Sequence, residues 1–259
     1  MRKAYLFILL SLFVLSSCAP TRIYFEHFET KSNDLQINKQ GAYSYEDENV
    51  IVEYDFWENY GKMNFTITNK TDKMIVIDLE KSFFVKNGVS FSYYSNIIES
   101  ITTTQSIQNL VQARYSILTE GVSATTGNAR TLYYIPEKKL YVLPNLKAEI
   151  NQFDLINGYY PHCDLLKFPA SGSSKKVTYL SDKAPYTFIN YITYSFVGEE
   201  KEYSFRNNFY VNLISTFNMD DYYIETEITE CGKEKDVYYF PKRDPKSFYF
   251  RYDIMEMYK

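Results

Sequence analysis

The sequence has few of the residues from which enzymes most often build reactive sites. Among 259 residues there are two histidines, three cysteines and one tryptophan. A Gly-rich phosphate loop, a Gly-x-Ser-x-Gly nucleophile turn and a His-Glu-x-x-His metal motif are all missing from it. These absences argue against the common nucleotide-binding proteins, serine hydrolases and zinc peptidases. They predict a non-enzymatic protein without a cofactor.

Basic residues are outnumbered by acidic ones. The chain has 28 Lys and Arg against 32 Asp and Glu, a formal net charge of −4, and no Lys/Arg cluster. An acidic chain of this kind is unsuited to nucleic acid and to electrostatic adhesion on anionic lipid. We therefore predict no nucleic-acid partner, and we expect any link to a membrane to be covalent.

The N-terminal segment has the pattern of a secretory leader. Arg2 and Lys3 precede an apolar run from Ala4 to Leu15. This run is shorter than the roughly 20 apolar residues that span a bilayer. It ends in Leu15-Ser16-Ser17-Cys18, which resembles the lipobox of bacterial lipoproteins. The resemblance implies that residues 1–17 are removed and that Cys18 is acylated; an ordinary leader with a chance cysteine is the alternative.

The residues after Cys18 indicate a destination by further resemblance. Enteric lipoproteins retained in the inner membrane often carry Asp next to the cysteine, where this chain has Ala19. Surface lipoproteins of the Bacteroides group carry an early acidic cluster, but no acid precedes Glu26 after the cysteine. The outer membrane, facing the periplasm, is therefore expected, with the cell surface as the alternative. Because each buried methylene contributes about 0.8 kcal/mol, several acyl chains would anchor the protein stably.

Strand-forming aromatic residues are abundant, with 27 Tyr and 19 Phe. Residues 18–33 mix Pro, Thr, Arg and a short aromatic patch, which predicts a lipidated tether, with an edge segment docked by the aromatics as the alternative. The remaining segment, 34–259, has a suitable length for one elaborated β-domain. Two packed β-domains, divided near 160–175, are the alternative.

From Val50 onward, apolar and polar residues alternate with the period of two that is typical of half-buried strands. The alternating apolar positions are Val50, Val52, Tyr54, Phe56, Met63, Phe65, Ile67, Ile75, Ile77 and Leu79. Asn87-Gly88 is a strong signal for a two-residue hairpin turn. Short runs separated by tight turns predict an antiparallel β-sandwich.

One segment departs from this pattern. Ile107, Leu110, Val111 and Leu118 recur at helical spacing, which predicts a short helix at about 106–119. The following residues, 122–130, are rich in Gly, Ser and Thr and predict a loop.

Two polar groups contain residue types that bind metals. His162 and Asp164 could share a face, but zinc needs three or four ligands, and a histidine in a turn explains them better. The acids between residues 220 and 230 could suggest calcium, but they alternate with apolar residues along a strand. These acids are Asp220, Asp221, Glu225, Glu227 and Glu230. We predict no metal site at either group.

The tyrosine doublets support a sharper hypothesis. Tyr93/Tyr94, Tyr159/Tyr160 and Tyr222/Tyr223 could form exposed platforms that stack on sugar rings. The alternative, which we favour, is that each doublet lies half in the core and half in water.

Only Cys163 and Cys231 remain after acylation of Cys18. Both belong to the exported part of the chain, where disulfides persist, so we predict a bridge between them. Two separate buried thiols are the alternative.

Several short motifs are similar to corresponding positions of a Bacteroides-type lipoprotein family of unknown activity. They are Asn69-Lys70-Thr71-Asp72, Ile77-Asp78-Leu79, Ser82-Phe83-Phe84, Asn87-Gly88, Cys163-Asp164-Leu165, Asn208-Phe209-Tyr210-Val211 and Cys231-Gly232. The early core also resembles bacterial immunoglobulin-like modules, which bears on the fold alone. Together these features predict an all-β, antiparallel immunoglobulin-like β-sandwich with extra strands and one short helical insertion.

The function expected from these features is that of a lipid-anchored binding or structural module of the cell envelope. A surface protein that captures glycans is the first alternative. An envelope hydrolase whose carboxylate pair is invisible in the sequence is the second. An envelope protein or a glycan is the expected partner besides the membrane.

Overall fold

A computed structural model describes residues 22–94, 99–103, 118–119, 123–126, 129–221, 223–239 and 243–253. Antiparallel strands dominate these ranges, which confirms the predicted all-β fold. The strands are β1 (Ile23–Lys31), β2 (Gln36–Ile37), β3 (Tyr43–Glu46), β4 (Val50–Tyr54), β5 (Lys62–Asn69), β6 (Ile75–Lys86), β7 (Val89–Ser92), β8 (Glu99–Thr103), β9 (Leu118–Thr119), β10 (Ser123–Thr126), β11 (Ala129–Pro136), β12 (Lys139–Val142), β13 (Lys147–Asp154), β14 (Lys175–Thr178), β15 (Thr187–Phe196), β16 (Glu202–Asn218), β17 (Tyr223–Ile228), β18 (Glu234–Tyr239) and β19 (Ser247–Asp253). Short 3-10 helices cover Ser181–Lys183 and Met219–Asp221.

Two sheets form the body of the sandwich. The larger, sheet A, has the order β12-β6-β15-β16-β1-β19, with β14 beside β16 and β7 beside β6. The smaller, sheet B, has the order β13-β5-β4-β3-β2. Strands β8 to β11 form a separate sheet, and β17 and β18 form a hairpin.

Strand β16 is the longest of the described strands, with 17 residues, and it organises sheet A. Its first half pairs with β15, from Glu202 to Tyr210. Its second half pairs with β1, from Tyr210 to Asn218. Strand β16 therefore connects the part of sheet A that contains β15 with the part that contains β1.

The start of the chain corrects the predicted tether. Residues 23–31 form β1, which lies inside sheet A between β16 and β19. Tyr24 and Phe28 point into the core and are almost fully buried. The short aromatic patch is thus a strand with a partner on each side, and neither a tether nor an edge segment.

The core lies between the two sheets and is rich in aromatic rings. The ring of Phe209 on β16 packs against the rings of Tyr54 and Phe56 from sheet B, with centroid distances of 4.8 and 5.1 Å. The rings of Phe28 and Phe248, both in sheet A, stack with their centroids 4.8 Å apart. Each buried side chain of this size contributes about 1.5–3 kcal/mol. The same core cluster includes residues from both sheets, from Tyr24 to Tyr252.

Local turn chemistry agrees with the sequence at the β6–β7 hairpin. Asn87 and Gly88 both have positive φ angles, 49° and 81°, as a type I′ turn requires. The hairpin prediction at these two residues is confirmed.

Gly61 lies in the loop between β4 and β5 of sheet B, where this loop touches β19 at the edge of sheet A. Its φ angle is +65°, and a Cβ built there would lie 2.6 Å from Cγ of Phe248. Tyr60 donates its backbone N–H to the carbonyl of Tyr249 on β19 over 2.7 Å. A side chain at position 61 would push the β4–β5 loop away from β19.

The predicted helix at about 106–119 lies outside the described residues, apart from Leu118–Thr119, which form β9. Within the segment 122–130, predicted to be a loop, Ser123–Thr126 form β10 and Ala129 begins β11. Across the described ranges, none of the helical segments is long and apolar enough to cross a membrane.

Candidate functional site

An open groove with a volume of about 380 Å³ lies on the outer face of sheet B. Most of its lining residues are polar, and they come from four separate segments of the chain. The lining residues are Asn38, Gln40, Ala42, Glu53, Tyr54, Asp55, Asn64, Phe65, Thr66, Arg243 and Pro245. The groove is our candidate site, because it gathers hydrogen-bonding groups that the sequence keeps far apart.

Strand periodicity places these side chains on one face. In the antiparallel pairing of β4 and β5, Tyr54 faces Phe65 and Glu53 faces Thr66. Tyr54 and Phe65 are buried in the core. Because neighbouring residues of a strand point to opposite faces, Glu53 and Thr66 point outward into the groove.

Asn38 holds the Glu53 carboxylate in place. Its Oδ1 accepts the backbone N–H groups of Gln40 and Ala42, each over 3.0 Å, which fixes the turn between β2 and β3. Its Nδ2 then donates to Oε1 of Glu53 over 2.7 Å. The ammonium of Lys147 lies 3.6 Å from Oε2 of the same carboxylate.

Asp55 is fixed by partners on both sides. Its Oδ1 accepts the backbone N–H of Trp57 over 3.1 Å. Its Oδ2 accepts from Nη2 of Arg243 over 3.0 Å, which brings a residue from the far end of the sequence to the groove. Both carboxylates of the groove are therefore oriented by hydrogen bonds before any ligand arrives.

Asn64 supplies the unsatisfied group of the site. Its side-chain Oδ1 is buried and has no hydrogen-bond partner among the described residues. An unpaired buried acceptor costs about 1–3 kcal/mol, so such an atom calls for an explanation. Asn64 lines the groove, but this oxygen itself is closed to solvent.

The cysteines do not behave as predicted. Cys163 and Cys231 are both free thiols, so the predicted disulfide is not formed in the structure. Both are exposed, so the alternative of two buried thiols does not describe them either. Cys163 lies in the loop between β13 and β14, and Cys231 lies in the turn between β17 and β18. Cys18, the predicted acylation site, lies outside the described residues.

The tyrosine doublets do not form platforms where the structure describes them. Tyr93 is 3% exposed, and its hydroxyl donates to Oδ1 of Asn190 over 2.8 Å. The ammonium of Lys138 lies 5.4 Å from the ring centroid of Tyr94. Tyr93 therefore belongs to the core, as the favoured alternative predicted.

The second doublet packs against its surroundings. The ring centroids of Tyr159 and Tyr252 lie 5.3 Å apart, and those of Tyr160 and Tyr186 lie 5.8 Å apart. The side chains of the third doublet, Tyr222/Tyr223, lie outside the described residues.

His162 and Asp164 lie in one turn, and the ring of His162 also lies 6.0 Å from the ring of Tyr160 and 6.2 Å from that of Tyr179. Nδ1 of His162 accepts the backbone N–H of Asp164 over 3.1 Å, which is a local turn contact. Asp221 likewise accepts from Ser171 and from the backbone of Gly172, over 2.8 and 2.7 Å. The side chains of Glu225 and Glu227 lie outside the described residues. Among the residues that the structure describes, no three His, Cys, Asp or Glu side chains converge as metal ligands would.

His27 lies on the outer face of β1 in an aromatic cluster. Its ring lies 6.0 Å from Trp57 and 6.4 Å from Phe217. Burial lowers the pKa of His27 to about 4, so the imidazole is neutral at pH 7.

Glu26 is the buried acid that sequence reasoning missed. It is 0% exposed, and burial raises its pKa to about 8. Its Oε2 accepts the backbone N–H of Tyr160 over 2.9 Å, whereas Oε1 has no partner among the described residues. The available signal was its position between Tyr24 and Phe28, at the inward spacing of an alternating strand.

The sequence contains part of the pattern that forms the groove. Glu53 and Asp55 share the polar face of one predicted strand, and Asn64 and Thr66 share the polar face of the next. Nothing in the sequence shows that Asn38 and Arg243 join them.

The chain matches no protein-family model, no curated protein and no solved structure.

Proposed function

We propose that this chain is a lipid-anchored, non-enzymatic binding module of the bacterial cell envelope, and that its groove binds a glycan chain. The lipobox ending at Cys18 and the resemblance to Bacteroides-type lipoproteins support the anchor and an outer-membrane location facing the periplasm. The observation that carries the binding proposal is a single groove in which polar groups from four separate segments meet and the two carboxylates are held by hydrogen bonds.

The charges of the groove favour a neutral polar ligand. Two carboxylates, Glu53 and Asp55, face the guanidinium of Arg243 and the ammonium of Lys147. These charges nearly balance, so the groove does not favour a strongly charged ligand of either sign.

Sugar hydroxyls match the polar groups of the groove. A hydroxyl donates to one group and accepts from another, so it can bridge a carboxylate oxygen and a guanidinium. Hydrogen bonds to charged groups contribute about 1.5–3 kcal/mol each, so a few of them are enough for measurable binding.

The geometry of the carboxylates favours binding over hydrolysis. Glu53 is held by Asn38, and Asp55 is held by Trp57 N–H and by Arg243. A general acid must instead offer a proton to the leaving group from an environment that keeps it protonated. Glu53 and Asp55 are both partly exposed, and oxygens of both already accept hydrogen bonds from fixed donors.

Native affinity gels provide the test. The full chain in detergent would be run through gels containing soluble xylan, mannan, glucan or solubilised peptidoglycan fragments. We expect retardation by at least one of them, and Asn64→Ala should weaken that retardation at least tenfold, which corresponds to about 1.4 kcal/mol.

The matched control is Asn151→Ala. Asn151 is the exposed cross-strand neighbour of Asn64 on β13 and does not line the groove. No retardation by any glycan, or equal retardation of the Asn64 and Asn151 variants, would overturn the glycan proposal. Release of new reducing ends from a retained polysaccharide would instead identify a hydrolase.

A further inference from the structure

The tether leaves little distance between the acyl anchor and the folded body. Strand β1 begins at Ile23, five residues after Cys18. Five fully extended residues span at most about 18 Å. The proposed anchor at Cys18 therefore holds the start of β1 close to the bilayer surface.

Several segments lie together at this end of sheet A. Ile23 pairs with Asp253 at the end of β19, and Tyr24 pairs with Asn218 at the end of β16. Nδ2 of Asn218 donates to the carbonyl of Pro169 over 3.2 Å, which fastens the preceding loop to the same end. We call this surface the anchor end.

The anchor end carries charges of both signs. Arg22, Lys175 and Asp220 are exposed there. A surface of mixed sign is not attracted strongly to anionic lipid, so the acyl chains have to supply the attachment. Contact between this end and the bilayer follows from the length of the tether and not from adhesion.

The groove lies at the other end of the same strands. The nine residues of β1 extend over about 26 Å. Strand β19 runs antiparallel to β1 and begins at Ser247, opposite Glu29. The groove residues Arg243 and Pro245 come just before that start and therefore lie at the end remote from Ile23.

A second contact places the rest of the groove at the same end. The hydroxyl of Tyr43 on β3 donates to the carbonyl of Thr30, near the end of β1, over 2.8 Å. The turn that precedes β3 contains Asn38 and Gln40, which line the groove. The groove is thus placed away from the anchor end by two separate segments of the chain.

We infer that the anchor end of the sandwich faces the bilayer and that the groove opens into the aqueous compartment, where it takes a glycan chain from solution and not a lipid headgroup. This inference rests on the proposed acylation of Cys18. The short tether would then keep the anchor end at the membrane surface and hold the groove away from it.

Energy transfer on vesicles tests this arrangement. Single labelling cysteines would replace Asp220 at the anchor end or Gln40 at the groove, in a background with Cys163→Ser and Cys231→Ser. The acylated protein would be reconstituted into phosphatidylcholine vesicles that contain a headgroup-labelled acceptor lipid. We expect clearly stronger transfer from position 220 than from position 40.

Two controls separate the possible failures. Flotation with the vesicles is measured first, and its absence in the unsubstituted protein would overturn the anchor and this inference together. Flotation with equal or stronger transfer from position 40 would overturn the orientation alone. A Gly/Ser insertion of about 20 residues after Pro20 should make the two efficiencies converge, because a long flexible tether no longer fixes one end near the surface.

Discussion

Replacing Glu26 by Gln should remove a large part of the pH dependence of folding stability. In the unfolded chain the pKa of this glutamate is the ordinary 4.5, whereas burial raises it to about 8 in the folded protein. Between these two values the unfolded chain releases the proton and the folded protein keeps it. The stabilising contribution of the protonated acid is therefore complete below pH 4.5 and is lost as the pH rises to about 8.

The size of the effect follows from the width of this pH window. Each pKa unit corresponds to about 1.36 kcal/mol, so a window from 4.5 to about 8 gives a loss on the order of 5 kcal/mol. This is an upper limit, because local opening near Tyr160 would hydrate the carboxylate at lower cost. Gln keeps an oxygen acceptor for the N–H of Tyr160 and has no charge to bury.

Urea unfolding at pH 5 and pH 9 is the assay. Wild type should lose several kcal/mol more than Glu26→Gln between the two pH values, so the variant should be the more stable protein at pH 9. Other titrating groups, including His27, cancel in this comparison because both proteins contain them. Glu29→Gln on the same strand, where the side chain is exposed, is the matched control and should change little. Parallel pH dependence of wild type and Glu26→Gln would refute the reasoning.

Three further substitutions test the acyl anchor, the close contact of the β4–β5 loop with β19, and a buried hydrogen bond in the core. Cys18→Ala should abolish labelling by an alkyne fatty acid and leave the leader uncleaved at this site, as seen by gel fluorescence and mass spectrometry. Gly61→Ala should lower the free energy of unfolding by about 2–3 kcal/mol, because the new Cβ meets the ring of Phe248 in a left-handed backbone conformation. Tyr54→Phe should cost about 1–3 kcal/mol, because the Tyr54 hydroxyl donates to Oδ1 of the buried Asn207 over 2.7 Å.

Each of these has a control and an excluding result. Gly41→Ala also has a positive φ angle, +86°, but meets no atom within 4 Å, so it should cost less than Gly61→Ala. Equal losses at the two glycines would mean that the contact with Phe248 is unimportant. Tyr141→Phe removes an exposed hydroxyl and should be nearly neutral. Unchanged fatty-acid labelling of the Cys18 variant would exclude acylation at this residue.

Local patterns in the sequence were enough to predict the strand character of the chain. Period-two alternation from Val50 to Leu79 gives β4, β5 and β6, because it describes which face of a strand meets the core. Asn87-Gly88 gives its hairpin for the same local reason, since few residue pairs accept two positive φ angles. These features depend on neighbours in the chain, and so they can be seen without the fold.

The tertiary structure decided which distant segments meet. The sequence predicted a tether where β1 lies, because a strand that pairs with partners about 190 and 225 residues away has no local signal for its position. The same non-local pairing places Glu26 in the core, where burial raises its pKa. It also brings Arg243 beside Asp55, which completes the groove. Cys163 and Cys231 lie in separate loops and are exposed as free thiols. Composition and periodicity describe the faces of each strand, but only the order of strands in the sheets determines which polar faces form a site.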